Sequence, residues 1–184
     1  TSLIHISKGD KVSDTPGTSG NPSTPGKTAD PAPSTTDFPG NVNDIEVVDV
    51  NGRMFNGKML IVKDPTRVFV GTPDNYGADC YGLTVMNMVL KYDAVAGINA
   101  GGFIDPNGTG TGGLPDGIVI SGGKLLWGNL YSSYNLAGID GNGMLYVGTM
   151  TAQRALALGI KEAASYGPAL IINGVPCNSN YQLG

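Results

Sequence analysis

Residues 97–105 contain the side chains and glycines best suited to chemistry in this sequence of 184 residues. An apolar, strand-like run ends at Asn99 and opens into Gly101, Gly102 and Phe103. Glycines at the end of a strand let a ligand approach the backbone closely. An Asn side chain donates hydrogen bonds to sugar hydroxyls or phosphoryl oxygens, and it accepts hydrogen bonds from sugar hydroxyls. The pattern predicts a ligand-binding bend, and the alternative that stays open is a tight structural turn capped by Asn99.

Two carboxylates, Asp105 and Asp116, follow this bend. Hydrolysis of a glycosidic bond uses two carboxyl groups that flank the scissile bond, as acid, base or nucleophile. We therefore take Asp105 and Asp116, together with Asn99, as the candidate catalytic residues. Glu162 is a further carboxylate, but it falls on a predicted helix, where an acidic side chain is usually solvated.

The same loop offers oxygen ligands at Asp105, Asn107, Thr109 and Asp116, in an order that resembles an EF-hand calcium loop. Helices are not predicted on either side, so a mobile loop without calcium is the alternative. The glycine-rich run 108–113 matches G-x-G-x-x-G. A strand is predicted after it, so no helix N-terminus would face a pyrophosphate, and a dinucleotide site is excluded. We expect no other cofactor.

Composition excludes several further kinds of chemistry. His5 is the one histidine, and with two cysteines it supplies too few ligands for a tetrahedral zinc site and no Ser-His-Asp triad. The net charge of -4 and a pI of about 4.7 argue against nucleic acid as a partner. Cys80 and Cys177 would pair in an extracellular protein or remain free thiols, and their spacing does not decide between these alternatives.

The N-terminal part of the sequence differs in amino-acid composition from the rest. Residues 1–7 are predicted as a short strand, whereas residues 8–43 hold six of the twelve prolines and few apolar side chains. A segment of this composition cannot bury enough surface to offset its conformational entropy. We expect a flexible, disordered Ser/Thr/Pro/Gly linker, of the kind that holds an exported domain away from a cell surface.

From residue 44 onward, hydrophobic periodicity predicts an α+β fold. One helix has Thr84 as its N-cap and an apolar face formed by Val85, Met88, Val89 and Tyr92. A second helix is predicted over 153–165. Strands are predicted at 45–50, 58–62, 67–71, 94–99, 117–121, 124–127, 135–140, 144–148 and 169–174. We expect a mixed, mostly antiparallel sheet with two packed helices, in which the first three of these strands form a meander and 94–99 is central.

Four blocks of the sequence resemble the phosphodiester glycosidase domain family of N-acetylglucosamine-1-phosphodiester α-N-acetylglucosaminidase-like proteins. In order, they are KMLIVKDPTRVFVGT, AVAGINAGGF, GIVISGGKLLWG and LGIKEAASYGPALIING. The resemblance covers about residues 45–183. In the family, an Asn-x-Gly-Gly-Phe strand end lies at the active-site cleft, and here it falls on Asn99, Gly101, Gly102 and Phe103.

A second family block, Gly-Pro-x-Leu followed by Asn-Gly, also has a counterpart in this sequence. It falls on Gly167, Pro168, Leu170, Asn173 and Gly174. The resemblance therefore implies a set of substrate-binding residues that comprises Gly101, Gly102, Phe103, Gly167, Pro168 and Asn173.

The family pattern continues with Asn-Pro-Arg-Thr, Asp-Gly-Arg and Leu-Asp-Gly-Gly-Gly-Ser blocks that this sequence does not contain. The resemblance thus implies that residues 44–184 are the N-terminal part of such a domain. It also implies one of two alternatives: the arginines and the carboxylate for the phosphate come from a second polypeptide, or the domain is truncated and inactive.

The expected function is hydrolysis of sugar-1-phosphodiester linkages on extracellular or cell-surface glycans by an exported protein, with this chain forming part of the cleft. The alternative is a non-catalytic glycan-binding or surface scaffold module. Trp127, Tyr131 and Tyr134 would serve it by stacking on sugar rings, although core packing is their commoner role. A third interpretation is an adhesion module stabilised by calcium.

Overall fold

The computed structural model describes residues 2–6 and 45–177, with the backbone alone for the first segment. The predicted linker, residues 8–43, lies outside the described residues. The strands are β1 Ser2–Ile6, β2 Ile45–Asn51, β3 Asn56–Val62, β4 Val68–Gly71, β5 Ala96–Ala100, β6 Gly102–Phe103, β7 Pro115–Asp116, β8 Val119–Ser121, β9 Lys124–Trp127, β10 Ser133–Asp140, β11 Leu145–Thr151, β12 Ile160–Ser165, β13 Ile171–Ile172 and β14 Val175–Pro176. The helices are α1 Val85–Lys91 and α2 Ala152–Ala157.

Two larger sheets organise these strands. One has five strands in the order β11-β10-β12-β8-β9, and the other has three in the order β4-β1-β5. Three further pairs, β2–β3, β6–β7 and β13–β14, stand apart. Every pairing among the described strands is antiparallel. The mostly antiparallel sheet and the two helices of the α+β prediction are confirmed, but the strands form several sheets and not one.

The predicted meander of the first three strands is wrong after its first hairpin. β2 and β3 pair along their whole length, from Ile45 opposite Val62 to Asn51 opposite Asn56. The chain then passes through a 3-10 turn, Pro65–Arg67, where the Asp64 carboxylate accepts the Thr66 N–H at 3.0 Å. This turn directs β4 away from β3, and β4 pairs with β1.

The strand predicted to be central, β5, lies at an edge of its sheet within the described part of the chain. β1 occupies the middle position and pairs with both β4 and β5. Ile98 on β5 is 65% exposed, although its apolar neighbours suggested a strand covered on both faces. A sequence window shows that a run is apolar but not which strands flank it.

The second helix is the clearest error of the sequence-based prediction. Thr151 caps α2 by accepting the Arg154 N–H at 3.1 Å. The helix ends at Ala157, and Gly159 then takes a left-handed conformation with φ of 79°. The remaining residues form β12, where Ile160, Ala163 and Ala164 are buried. Glu162 therefore lies on a strand and not on a helix.

The main core lies under α2, on the five-stranded sheet. Its largest buried side chains are Ile118, Ile120, Leu136 and Ile160, and the small residues Ala152, Ala155 and Ala163 let α2 approach. α1 follows the predicted pattern, with its N-cap at Thr84 and Met88 fully buried. Between the two larger sheets, β4 packs against β8 and β12. Among residues 2–6 and 45–177, no helix has the length and apolar character needed to cross a bilayer.

Candidate functional site

A polar cleft of about 590 Å³ opens where five strand ends meet. The end of β5 and the start of β6 contribute the floor, β7 contributes one side, and the start of β10 and the end of β12 contribute the other. Its lining residues are Gly101, Gly102, Asp116, Gly117, Ser133, Tyr134, Asn135, Ser165, Tyr166 and Gly167.

The floor of the cleft is the bend between β5 and β6. Gly101 has φ of 68°, and a Cβ at this position would lie 3.3 Å from the Ser165 carbonyl oxygen. Glycine fits both requirements, because it tolerates the left-handed region and the close backbone contact. In the register of β6 and β7, Gly102 stands directly opposite Asp116. The exposed Asp116 carboxylate is therefore beside the floor of the cleft.

The side formed by β7 is fixed against β12 through Ser165. Gly117 has φ of 104°, and a Cβ on it would lie 2.0 Å from Ser165 Oγ. The Ser165 hydroxyl in turn accepts the Ile118 N–H at 2.8 Å. Only a residue without a side chain fits at position 117 beside Ser165. Asp116 directly precedes this glycine, and its carboxylate therefore lies at the edge of the cleft.

The opposite side of the cleft is built by Asn135 and Tyr166. The Tyr166 N–H donates to the Asn135 carbonyl at 3.1 Å. The Asn135 side chain accepts a hydrogen bond from the Thr149 hydroxyl through Oδ1. A Cβ on Gly167 would lie 3.5 Å from Asn135 Nδ2, so the amide nitrogen is directed toward the cleft backbone. The Gly167-Pro168 peptide bond that follows is cis.

The structure brings four of the predicted site residues together and separates the others. Gly101, Gly102, Asp116 and Gly167 all line the polar cleft. Asn99 is exposed and lines a second, apolar groove of about 290 Å³ between the two larger sheets. Tyr166 lines both cavities, so the cleft and the groove adjoin at this side chain.

Three predicted substrate-binding residues do not line the cleft. Phe103 lies on β6 opposite Pro115, and Pro168 follows Gly167. Asn173 forms the turn of the hairpin between β13 and β14 with Gly174, and their φ angles of 51° and 76° are those of a two-residue hairpin turn. Turn geometry thus accounts for the Asn-Gly pair without a ligand.

Asp105 is exposed and is not among the residues that line the cleft. Its Oδ1 accepts the Gly110 N–H at 2.6 Å, and the Thr109 hydroxyl donates to the Pro106 carbonyl at 2.7 Å. The loop therefore uses two of its predicted calcium ligands in its own hydrogen bonds. Within the part of the chain that the structure describes, no group of three or more His, Cys, Asp or Glu side chains is arranged to hold a metal. The calcium site stays a prediction.

Glu162 has a structural environment that the sequence did not reveal. Its two carboxylate oxygens accept the Val70 N–H at 2.8 Å and the Gly122 N–H at 2.9 Å. The half-buried carboxylate thereby joins β4 to the hairpin of β8 and β9, at the wall of the apolar groove. Burial is the largest influence on this group and raises its pKa above the ordinary value, although both N–H donors act in the opposite direction.

The predicted aromatic residues divide between core and surface. Trp127 Nε1 donates to the Pro115 carbonyl at 2.9 Å, and its ring packs against Tyr76. Tyr134 lines the cleft, but its hydroxyl accepts the Asn129 N–H. Tyr131 is 71% exposed and lies away from the cleft lining.

Both cysteines, Cys80 and Cys177, are free thiols in the structure. The structure therefore favours the second of the two alternatives that their spacing left open.

Several lining residues, namely Gly117, Ser133, Asn135, Ser165 and Tyr166, were not singled out from the sequence. Tyr166 stands beside the Gly-Pro block, which was the one signal that could have found it. Ser133 and Asn135 begin β10, and no local motif marks them. Their place in the cleft depends on the pairing of β10 with β12, which is long-range information.

A comparison with protein families gives a match. The phosphodiester glycosidase family model matches residues 92–184, which is just over half of the chain. The match includes every described residue that lines the polar cleft, but not the first of the four blocks quoted above. No curated protein and no solved structure matches the chain.

Proposed function

Because the chain belongs to the phosphodiester glycosidase family, we propose that it hydrolyses glycosyl phosphodiesters at the polar cleft. Membership itself implies a phosphodiester glycosidase-like role. The proposal adds the place and the substrate, namely a sugar-1-phosphodiester on extracellular or cell-surface glycans. The observation that carries it is the Asp116 carboxylate beside the glycine floor of a cleft inside the matched region.

In the proposed reaction, water adds to the anomeric carbon while the bond from that carbon to the phosphate oxygen breaks. The phosphate leaves as a monoester anion, so little acid assistance is needed. Asp116 accepts the proton of the attacking water, or forms the glycosyl intermediate that water then hydrolyses. Gly101 and Gly102 let the substrate approach the backbone because no side chain covers it.

The other predicted residues take supporting places in the proposal. Asn99 orients the part of the substrate that extends past Tyr166 into the adjoining groove. Gly167 and Pro168 shape the far side of the cleft, while Phe103 and Asn173 hold β6 and the last hairpin in place. We assign the catalytic carboxylate to Asp116 and not to Asp105, because Asp105 does not line the cleft. Cationic groups for the phosphate would come from a second polypeptide or from chain beyond the described residues.

The test is release of free sugar from the methyl phosphodiester of α-N-acetylglucosamine 1-phosphate. We expect Asp116→Asn to lower kcat by about a hundredfold or more, because the residue contacts the reacting centre. Asp79→Asn is the matched control, since Asp79 is an exposed aspartate away from the cleft. Equal turnover by Asp116→Asn and Asp79→Asn would refute the assignment.

A second variant tests the place of Asn99. We expect Asn99→Ala to slow turnover while the melting temperature stays unchanged, because the side chain is exposed and positions substrate only. Undiminished turnover in Asn99→Ala would remove this residue from the site.

The second candidate function, a non-catalytic glycan-binding module, is favoured by one observation. In the part of the chain that the structure describes, Asp116 is the one carboxylate that lines the cleft, whereas most glycosidases use two. Saccharide binding by the full chain, with no turnover of any glycosyl phosphodiester, would support the binding module over the hydrolase.

A further inference from the structure

We propose that the polar cleft holds the sugar ring of the substrate and not its phosphate, with Tyr166 as the stacking surface and Asn135 as a hydrogen-bond donor. The inference rests on the proposed function and deepens it by dividing the substrate between this cleft and a phosphate site elsewhere. Neither Tyr166 nor Asn135 belongs to the residues that the sequence singled out.

The charge of the lining residues favours a neutral ligand. Among the described residues that line the cleft, Asp116 is the one charged residue, and no Lys or Arg is present. A phosphodiester carries one negative charge, which would lie beside a carboxylate of the same sign. Like charges at close range repel each other. A sugar ring brings no such charge, and its hydroxyls donate well to a carboxylate.

The backbone of the floor also fails to provide an anion site. The Ile104 N–H donates to the Leu114 carbonyl at 2.8 Å. In an antiparallel ladder, hydrogen-bonded pairs recur at every second position, so Gly102 and Asp116 form the next such pair. The Gly102 N–H is therefore directed at the Asp116 carbonyl and not into the cleft. A cradle of several free N–H groups, which phosphate recognition by a backbone requires, is not formed by this pair.

The side-chain amide of Asn135 is oriented so that its NH2 group can donate a hydrogen bond to a ligand in the cleft. The Thr149 hydroxyl donates to Asn135 Oδ1, which fixes the orientation of the amide. The nitrogen, Nδ2, then lies on the Gly167 side, where a Cβ on the glycine would be 3.5 Å away. Because Gly167 has no side chain, the space beside Nδ2 stays open to a sugar hydroxyl or carbonyl oxygen.

Tyr166 provides the apolar surface that a sugar ring needs. Its side chain is 66% exposed, although its backbone is fixed by the hydrogen bond to Asn135. A tyrosine ring on a rigid backbone can stack on the C–H face of a pyranose at a small entropic cost. Ser133 and Ser165 add hydroxyls nearby. An aromatic ring among neutral hydroxyl and amide groups is complementary to a saccharide.

The test compares neutral and anionic probes on the full chain by NMR titration. The probes are the methyl α-glycosides of glucose, N-acetylglucosamine, galactose and mannose, and inorganic phosphate. We expect at least one glycoside to bind, and phosphate at the same concentration neither to bind the cleft nor to compete. Binding of phosphate in the cleft, or failure of all four glycosides, overturns the inference.

Variants then test the two named side chains. Tyr166→Ala and Asn135→Ala are each expected to weaken glycoside binding by about tenfold, which is the size of a lost stacking or hydrogen-bond contact. Tyr166→Phe keeps the ring and should bind like the wild type. Tyr131→Ala is the matched control, because Tyr131 is 71% exposed and lies outside the cleft. Equal losses in Tyr131→Ala and Tyr166→Ala, at unchanged melting temperatures, would overturn the role of Tyr166.

Hydrolysis of the methyl phosphodiester of α-N-acetylglucosamine 1-phosphate separates this inference from the proposed function. If the wild type hydrolyses the phosphodiester and KM is unchanged in both Tyr166→Ala and Asn135→Ala, the sugar subsite is refuted and the hydrolase stands. If a glycoside binds and the two variants weaken it, but no phosphodiester is cleaved, the hydrolase is refuted and the sugar subsite stands.

Discussion

Single glycines decide how closely the sides of the cleft approach each other. Gly117 and Ser165 are in direct contact, and any side chain at 117 would overlap the serine hydroxyl. The same hydroxyl accepts a hydrogen bond from the N–H of Ile118, where the buried segment begins. One missing side chain therefore sets both the position of Asp116 and the packing of β12 beneath the cleft.

This contact predicts a difference between two glycines that both have a positive φ. Gly117→Ala is expected to lower the free energy of unfolding by at least about 2 kcal/mol more than Gly122→Ala, because it adds a steric overlap to the backbone strain. Gly122 also has a positive φ, of 58°, but a Cβ there would meet no atom within 4 Å. Urea denaturation of both variants measures the difference, and equal destabilisation would contradict the contact.

The Glu162 carboxylate predicts a pH dependence of stability. Burial raises its folded-state pKa above the ordinary value of 4.5. The contribution of the protonated group is therefore fully present below that ordinary value and is lost as the pH rises through the folded pKa.

We expect the free energy of unfolding of the wild type to fall relative to that of Glu162→Gln as the pH rises from below the ordinary pKa of 4.5 through the raised folded-state pKa. Gln is the matched replacement because it is neutral throughout this range and retains one acceptor oxygen. Urea titrations at several pH values measure the difference. Parallel pH profiles for the two proteins would contradict the raised pKa.

At the scale of elements, short helices and strands are positioned by caps and turns more than by their own length. α2 has six residues, too few for a stable helix in isolation. The Thr151 hydroxyl at its start and Gly159 after its end fix it between β11 and β12. The orientation of β12, and so the position of Ser165 and Tyr166, follows from these two ends.

The cap of α2 gives a prediction of its own. Thr151→Ala is expected to cost about 1 kcal/mol of stability, because the Arg154 N–H loses its acceptor. Thr151→Ser keeps the oxygen and should be close to the wild type. Thermal or urea unfolding of the three proteins measures this, and an equal loss in Ser and Ala would show that the hydroxyl is not the cause.

The residues after α2 show why the sequence predicted a helix over the whole of 153–165. Ile160, Ala163 and Ala164 are spaced as on a helical face, and they are all buried. β12 lies between β10 and β8, and α2 and β4 also contact it. A local sequence window cannot distinguish such a buried strand from a buried helix. Gly159 is the sequence signal for an earlier helix end, but it does not settle the boundary, because a glycine inside a helix is tolerated at modest cost.

At the scale of the whole molecule, the cleft combines residues that are distant in sequence. Gly101, Gly102, Asp116 and Gly167 could be predicted from glycine patterns, a carboxylate and the family blocks, and they meet in the cleft. Asn135 could not be predicted, because its contact with Tyr166 exists only once β10 and β12 have paired. Asn99 was predicted for the same site but lies on the groove side of Tyr166.

The most direct test of the account is whether a glycosyl phosphodiester occupies this cleft. In a ¹H–¹⁵N titration of the full chain with the methyl phosphodiester of α-N-acetylglucosamine 1-phosphate, the amide signals of Gly101, Gly102 and Gly167 should shift together. Those of Gly52 and Gly141, in the turns after β2 and β10, should stay in place and serve as internal controls. Shifts confined to the distant turns, or none at any glycine of the cleft, would contradict the account.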